Sequence, residues 1–446
     1  MTNNATNPGR SALGRRAASV AMAALLLAGS ACDLDLLNPN NPSEQSVVTD
    51  PIGIMAVAVG MQSAFANTID DYMVVNSLVT DEWGTRSAAL ISYISLFTGE
   101  NFSEDFGVVY TPWLRTYIAV KAANTVLTGA NDPVIGAELG TNMRAGVRAV
   151  AKLFKAMALG NAMLLYEEIP VDISVANPVP QPRAVVLDSI LELLEGARTD
   201  LAGVTDAQLA EFRTRVLAPG IDIRNTVDAM LARYYLFDGQ YTQAIQAADR
   251  VNLAVRSELR FPAPTRNPIN NLAFGLGYVG ALQSFVDEAE AGDDRPAYWV
   301  NVAAAPLTSN PAGTVLKPLL EYSGNNEPFA LYLPDEMKLI KAEAYTRLGG
   351  AANFLLAANL INEVRTQSTA STDEPVAGLA AIPVTSLATE DALLDQIAYE
   401  RRYELYEQGM RWEDTRRLGT DRTTVPTLTW LPIPPLECTT NPAAGC

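Results

Sequence analysis

Two short stretches hold the residue types that bind a polar, ring-containing molecule. Asp81-Glu82-Trp83-Gly84-Thr85-Arg86 places two carboxylates, an indole and a guanidinium within six residues, and Tyr93, Phe97 and Asn101 follow. Asp293-Asp294-Arg295-Pro296-Ala297-Tyr298-Trp299 repeats the combination, with Tyr322 and Asn325-Asn326 downstream. Indole and phenol rings offer rigid apolar area with a polar edge. Arg, Asp, Asn and Glu supply directional hydrogen bonds. Such a set could hold a sugar, its ring face on the aromatic and its hydroxyls on the planar polar groups. The opposing reading is packing, with Trp83 in the core, Asp81 capping a helix, and Tyr298-Trp299 filling space under a loop. On the binding reading, Trp83→Ala or Trp299→Ala weakens ligand binding and leaves the fold intact.

Other chemistry is excluded by what is missing. The chain has no histidine, so it has no Ser-His-Asp or Cys-His machinery and no histidine-ligated metal. No ligand spacing argues for calcium, and no metal or cofactor is expected. A net charge of −18 repels phosphate backbones, so nucleic acid is not an expected partner. A two-carboxylate glycosidase needs no histidine, but the spacing it requires is a tertiary property and no acid-plus-nucleophile signature stands out. The charge-rich block Glu400 to Arg417 surrounds Trp412 and reads as a structural latch. In it Arg401, Glu404 and Arg411 form ion pairs near a helix end.

These residues must be carried to their compartment and held on a frame. Arg10, Arg15 and Arg16 precede the run Ala17 to Ala28, apolar but for Ser19, which is a signal segment too short to span a bilayer. Gly29-Ser30-Ala31-Cys32 then reads as a lipidation junction at Cys32, although it would also serve an ordinary signal peptidase. Residues 1–31 are the expected signal peptide and 32–49 an Asn/Pro-rich tether. No later apolar run approaches ~20 residues. Cys438 and Cys446 can pair in an oxidising compartment, or remain free thiols on a frayed tail.

From residue 50 onward the pattern is helical. Asp50-Pro51 opens one helix and Thr111-Pro112 a second, in which Trp113, Tyr117 and Val120 share a face and read as core. Long helices are predicted over about 143–165 and 184–201, separated by a proline-rich connector. Val227 to Phe237, the turn Asp238-Gly239-Gln240 and Tyr241 to Val251 form a tetratricopeptide-like hairpin. Its Gly permits the turn and Ala244 permits close approach. A similar unit spans about 336–365. The hairpins lack a steady ~34-residue period, and 252–334 is loop-like, so a helical scaffold with a long insertion is expected. A chain of 446 residues is often several domains, though a helical array can run this long as one body. The expected layout is one domain over 50–446 with the insertion at about 252–334.

Several segments together resemble one family. Cys32 is followed by Asp33-Leu34-Asp35-Leu36 and Asn38-Pro39. Residues 113–127 read Trp-x-x-x-Tyr-x-x-Val-x-x-Ala-Asn-x-Val-Leu. Glu400-Arg401-Arg402-Tyr403-Glu404-Leu405 leads to Gly409-Met410-Arg411-Trp412-Glu413-Asp414-Thr415-Arg416-Arg417, then Leu431-Pro432-Ile433-Pro434 and Asn441-Pro442. The chain resembles the SusD/RagB family of outer-membrane nutrient-binding lipoproteins, from Cys32 to the last residues. It departs from the family pattern at Lys155, at Glu167 after Tyr166, and at Met410. The resemblance implies a mostly α, SusD-like fold with four tetratricopeptide-like hairpins supporting a loop-rich ligand-binding half. It implies a lipid-anchored protein on the extracellular side of the outer membrane that captures oligosaccharides, or sometimes peptides, for a TonB-dependent (SusC-like) transporter. It implies no enzyme activity. A tetratricopeptide-type peptide-binding scaffold is the alternative, and it would not depend on Trp83 or Trp299.

Overall fold

The computed structural model describes Met1 and residues 50–307, 313–368, 374–419 and 426–446. Apart from Met1, the expected signal peptide, Cys32 and the tether lie outside the described residues. The unit from Val48 to Cys446 opens with helix α1 (Pro51–Ala66). The Asp50 carboxylate accepts from the Ile52 amide at 3.1 Å, and Pro51 stands where no backbone donor is needed. Helix α2 (Ile69–Val79) follows and is buried almost throughout. The stretch Pro51–Val79 is long and apolar enough to cross a membrane by length and composition. It is interrupted at Asn67-Thr68, and its apolar side chains serve the core.

After strand β1 (Trp83–Thr85) come α3 (Ile91–Thr98) and α4 (Gly107–Asn131). Helix α4 begins before Thr111-Pro112, not at it. Pro112 lies early in the helix, where its absent N–H costs a single bond. Then follow α5 (Pro133–Glu138), α6 (Thr141–Leu165), the strands β2 (Glu168–Pro170) and β3 (Pro180–Pro182), α7 (Arg183–Leu201), α8 (Ala210–Arg215), α9 (Ile223–Phe237) and α10 (Tyr241–Arg250). Helices pack in succession: α1 on α4, α4 on α6, α6 on α7, α7 on α9, and α9 on α10. Gly239 makes the α9–α10 turn at φ +74°, which a side chain would disfavour, and Ala244 and Ala247 are fully buried against the partner helix.

The insertion carries short strands and turns. β4 (Glu258–Leu259) pairs with β7 (Phe329–Ala330). β5 (Val279–Leu282) lies between β1 and β6 (Leu316–Lys317), antiparallel to both, with Trp83 opposite Ala281 and Thr85 opposite Val279. Two short helices, α11 (Gln283–Asp287) and α12 (Arg295–Trp299), complete it. The helical stack then resumes with α13 (Pro334–Leu348) on α10, α14 (Ala351–Arg365) on α13, and α15 (Glu390–Glu404) on both. Helix α16 (Arg411–Leu418) returns to α2, and α17 (Pro435–Thr440) ends the chain.

The C-terminal charge block is a latch through Arg401 and Glu404, the latter paired with Arg295, whereas Arg411 is buried and forms no ion pair among the described residues. Arg401 Nε donates to both Asp414 oxygens at 3.0 and 2.9 Å, and Arg417 bonds Asp414 at 2.8 Å and also Glu343 of α13. Arg183 of α7 reaches Glu413 at 2.5 Å. Removing one partner from a buried pair leaves an uncompensated charge, so these contacts favour one arrangement of α7, α13, α15 and α16.

Candidate functional site

The residues singled out in sequence separate into two populations. Trp83 is 0% exposed and lies within the three-stranded sheet, its indole donating to Glu407 Oε1 at 3.2 Å. Trp299 is 1% exposed and donates to the Tyr403 carbonyl at 2.8 Å. Tyr322 is buried with its ring stacked on Phe329, and Phe97 is core. Glu82 is buried and accepts from the Ser77 hydroxyl at 3.1 Å. Burial pushes its carboxyl up to about 7. Arg295 is fully buried among Asp293, Glu400 and Glu404. The stacking-platform expectation for Trp83 and Trp299 is therefore corrected: neither ring offers a face to solvent. Tyr298 is half-buried with its ring edge-on to Trp299, and so belongs to the same packed cluster.

Asn101 is exposed, Arg86 and Tyr93 are half-buried, and Asp81 is half-buried near Arg402 and Glu288. Asp81 and Asn101 adopt positive φ, 56° and 53°, consistent with turn positions. Arg86 is set by the sheet register: its amide donates to the Tyr278 carbonyl at 2.8 Å, and its guanidinium lies where a side chain on Gly277 would have to go. Tyr93 meets Tyr278 edge to face, with ring centroids 5.9 Å apart.

Around this tyrosine pair stand residues that the sequence did not flag. Asp70 and Asp71 occupy the first turn of α2, and Arg115 projects from α4. Arg115 Nη1 alone donates to the Asn67 carbonyl at 2.9 Å, Asp70 at 3.2 Å and Asp71 at 2.9 Å. Burial holds both aspartates above the usual carboxylate range. At Asp71 the Asp70 charge adds to burial, Arg115 pulls the other way, and the result is about 7. Burial and the charges of Asp70, Asp71 and Tyr278 raise the Tyr93 phenol, with Arg115 opposing, so these groups share one neighbourhood. A cleft of about 360 Å³ opens beside them, lined by Asn67, Asp70, Arg115, Ile118 and Pro268. Exposed Leu90, Ile91, Phe274 and Leu276 come from the two segments that carry Tyr93 and Tyr278. Two half-buried phenol rings, two carboxylates and a guanidinium in one neighbourhood are the groups that grip a polyhydroxylated ring by stacking and by hydrogen bonds.

The carboxyls most displaced from their usual range, Glu404 and Glu407, are raised chiefly by burial and are closed off from solvent. They have no access to a substrate. Cys438 and Cys446 form a disulfide with Cα atoms 5.7 Å apart. Among the described residues no group of three or more acidic or thiol side chains is arranged to hold a metal ion.

Comparison with known proteins places this architecture. Residues 323–441 match the SusD family. No curated protein matches the chain in sequence. Among solved structures, the chain is similar to a SusD superfamily protein from Bacteroides vulgatus ATCC 8482, with a TM-score of 0.67 and 14% identity over 89% of this chain and 98% of that one. A SusD superfamily protein from Bacteroides fragilis gives 0.64 and 17%, covering 89% and 99%. A laminarin-binding SusD-like protein gives 0.63 and 17%, covering 86% and 97%.

Proposed function

From a chain that carries the SusD-like fold over most of its length and matches the SusD family over residues 323–441, we propose that this is a surface lipoprotein of the outer membrane, anchored through Cys32. It captures oligosaccharides without altering them and passes them to a TonB-dependent transporter. The observation that carries the binding reading is the half-buried Tyr93–Tyr278 pair beside Asp70, Asp71 and Arg115. This replaces the tryptophan clusters as the ligand face. It keeps Arg86 and Tyr93 from the sequence reading, both of which contact Tyr278.

The test is calorimetric titration of the mature protein with soluble glycans, laminarin first, because a protein of the same fold is a laminarin binder. Tyr278→Ala is expected to weaken binding by ~1–3 kcal/mol with unchanged thermal unfolding. No binding by any glycan, or equal affinity in Tyr93→Ala, Tyr278→Ala and the parent, sinks this site. Cys32→Ser is expected to move the protein from the membrane fraction to the soluble one. Persistence in the membrane would refute the lipid anchor. Gentle extraction of the native protein is expected to bring a large β-barrel with it.

A further inference from the structure

A second cleft, of about 440 Å³, lies further along α4 and meets the first at Ile118, which lines both. One wall is a face of α4 with Tyr110, Leu114, Tyr117 and Ile118. Tyr117 was read from sequence as core, but its half-buried ring is part of this wall. A second wall is the connector between β2 and β3, tied to α4 where the Tyr117 hydroxyl donates to the Pro170 carbonyl at 2.9 Å. The third wall is the chain's end: Leu436, Glu437 and Thr440 of α17.

How that third wall is held is informative. The chain leaves the body at Leu431, whose amide donates to the Leu165 carbonyl at 2.9 Å. Beyond this point Asn441 is the pin. It is 5% exposed, and its side-chain amide donates to the Pro178 carbonyl at 2.7 Å and to Glu437 at 2.8 Å. Its side-chain oxygen accepts from the Ala443 amide at 3.1 Å. Asn441 lies inside the ring closed by Cys438–Cys446. Without that ring, the segment after Asn441 is no longer tied back to α17, and the entropy of fixing Asn441 must be met by a few hydrogen bonds.

We propose that the C-terminal disulfide loop is a redox-sensitive wall of this cleft, held in place while Cys438–Cys446 is intact and released when it is reduced. The reductant is a dithiol. One of its thiolates attacks a cystine sulfur, the S–S bond breaks, and a mixed disulfide forms. The second thiolate displaces the protein sulfur. Two electrons pass to the protein, which ends with two thiols, and the reductant ends as a cyclic disulfide. The freed loop withdraws Asn441 from Pro178, and the Tyr117 side of the cleft opens to water.

The experiment is hydroxyl-radical footprinting of the folded mature protein in two states, oxidised, and reduced with dithiothreitol, then alkylated and desalted. Expected after reduction is about a threefold or greater rise in oxidation at Tyr117 and Ile173, with Trp83 and Trp299 unchanged as buried controls. The pair Cys438→Ser and Cys446→Ser should reproduce the reduced pattern without any reagent. Unchanged oxidation at Tyr117 and Ile173 in both the reduced protein and the serine pair overturns the proposal, since the disulfide would then shape only its own tail. A general rise that includes Trp83 and Trp299 also overturns it, because the bond would then support the whole fold.

Discussion

Two regions of this molecule use the same side chains for opposite ends. At the latch, Arg295 lies among Asp293, Glu400 and Glu404, between the rings of Tyr399 and Tyr403, each 5.7 Å away. At the proposed ligand face, Arg115 lies between Asp70 and Asp71 near Tyr93 and Tyr278. Arg295 is fully buried and donates through Nε, Nη1 and Nη2. The Arg115 side chain is 38% exposed and holds its three acceptors through Nη1. Burial, not residue type, decides which cluster is a fastener and which can meet a ligand.

The comparison can be broken most directly at Arg295. Arg295→Met leaves Asp293 and Glu404 in the interior without their cation, and Glu400 with Arg365 alone, and should cost about 3–5 kcal/mol, measured by urea unfolding. A loss under about 1 kcal/mol would mean that the cluster is no fastener. Trp299→Ala should likewise cost ~3–5 kcal/mol by opening a cavity, the reverse of what a surface stacking residue would give.

A gentler test uses pH at Glu82, in the sealed region. Its folded pKa, about 7, lies above the ordinary value of 4.5. Protonated Glu82 therefore favours the folded state. Its contribution is complete below pH 4.5 and is lost as pH rises through about 7. Glu82→Gln removes that slope. Relative to the parent, the variant should gain on the order of 3 kcal/mol between pH 4.5 and 8, read from unfolding curves at each pH. Parallel curves would show that Glu82 is not held neutral by burial. The smallest effect belongs to the open region. Arg115→Ala should cost less than Arg295→Met, because the Arg115 side chain is 38% exposed where Arg295 is fully buried, although Asp70 and Asp71 are themselves largely covered. A larger loss would make Arg115 a fastener as well.

The frame was legible where local signals agree with packing. Gly239 and Ala244 disclose the α9–α10 hairpin, and the alternation of charged and apolar residues around Trp412 discloses the latch. The ligand face was not legible for two physical reasons. Trp83 and Trp299 advertise aromatic surface, but sequence does not tell whether both faces of a three-residue strand or a five-residue helix are covered. Here β5 pairs with the strand, and Tyr403 and Tyr406 pack about the helix. Asp70 and Asp71 read as ordinary acids at a helix start, and Arg115, 44 residues after Asp71, reads as an ordinary surface cation. Tyr278 sits inside the featureless insertion. Only tertiary folding joins them.

Trp83 bonds Glu407 and Glu82 bonds Tyr406, each across 324 residues, while α16 rests on α2. Helix α16 and the residues just before it thus close on α2 and β1. During synthesis, α2 and β1 emerge hundreds of residues before the segment that covers them, and their apolar faces wait without their final partner. Closure of so long a loop is slow. Late truncations, even of residues remote from any ligand, should therefore leave the N-terminal helices adhesive rather than merely shorten the protein.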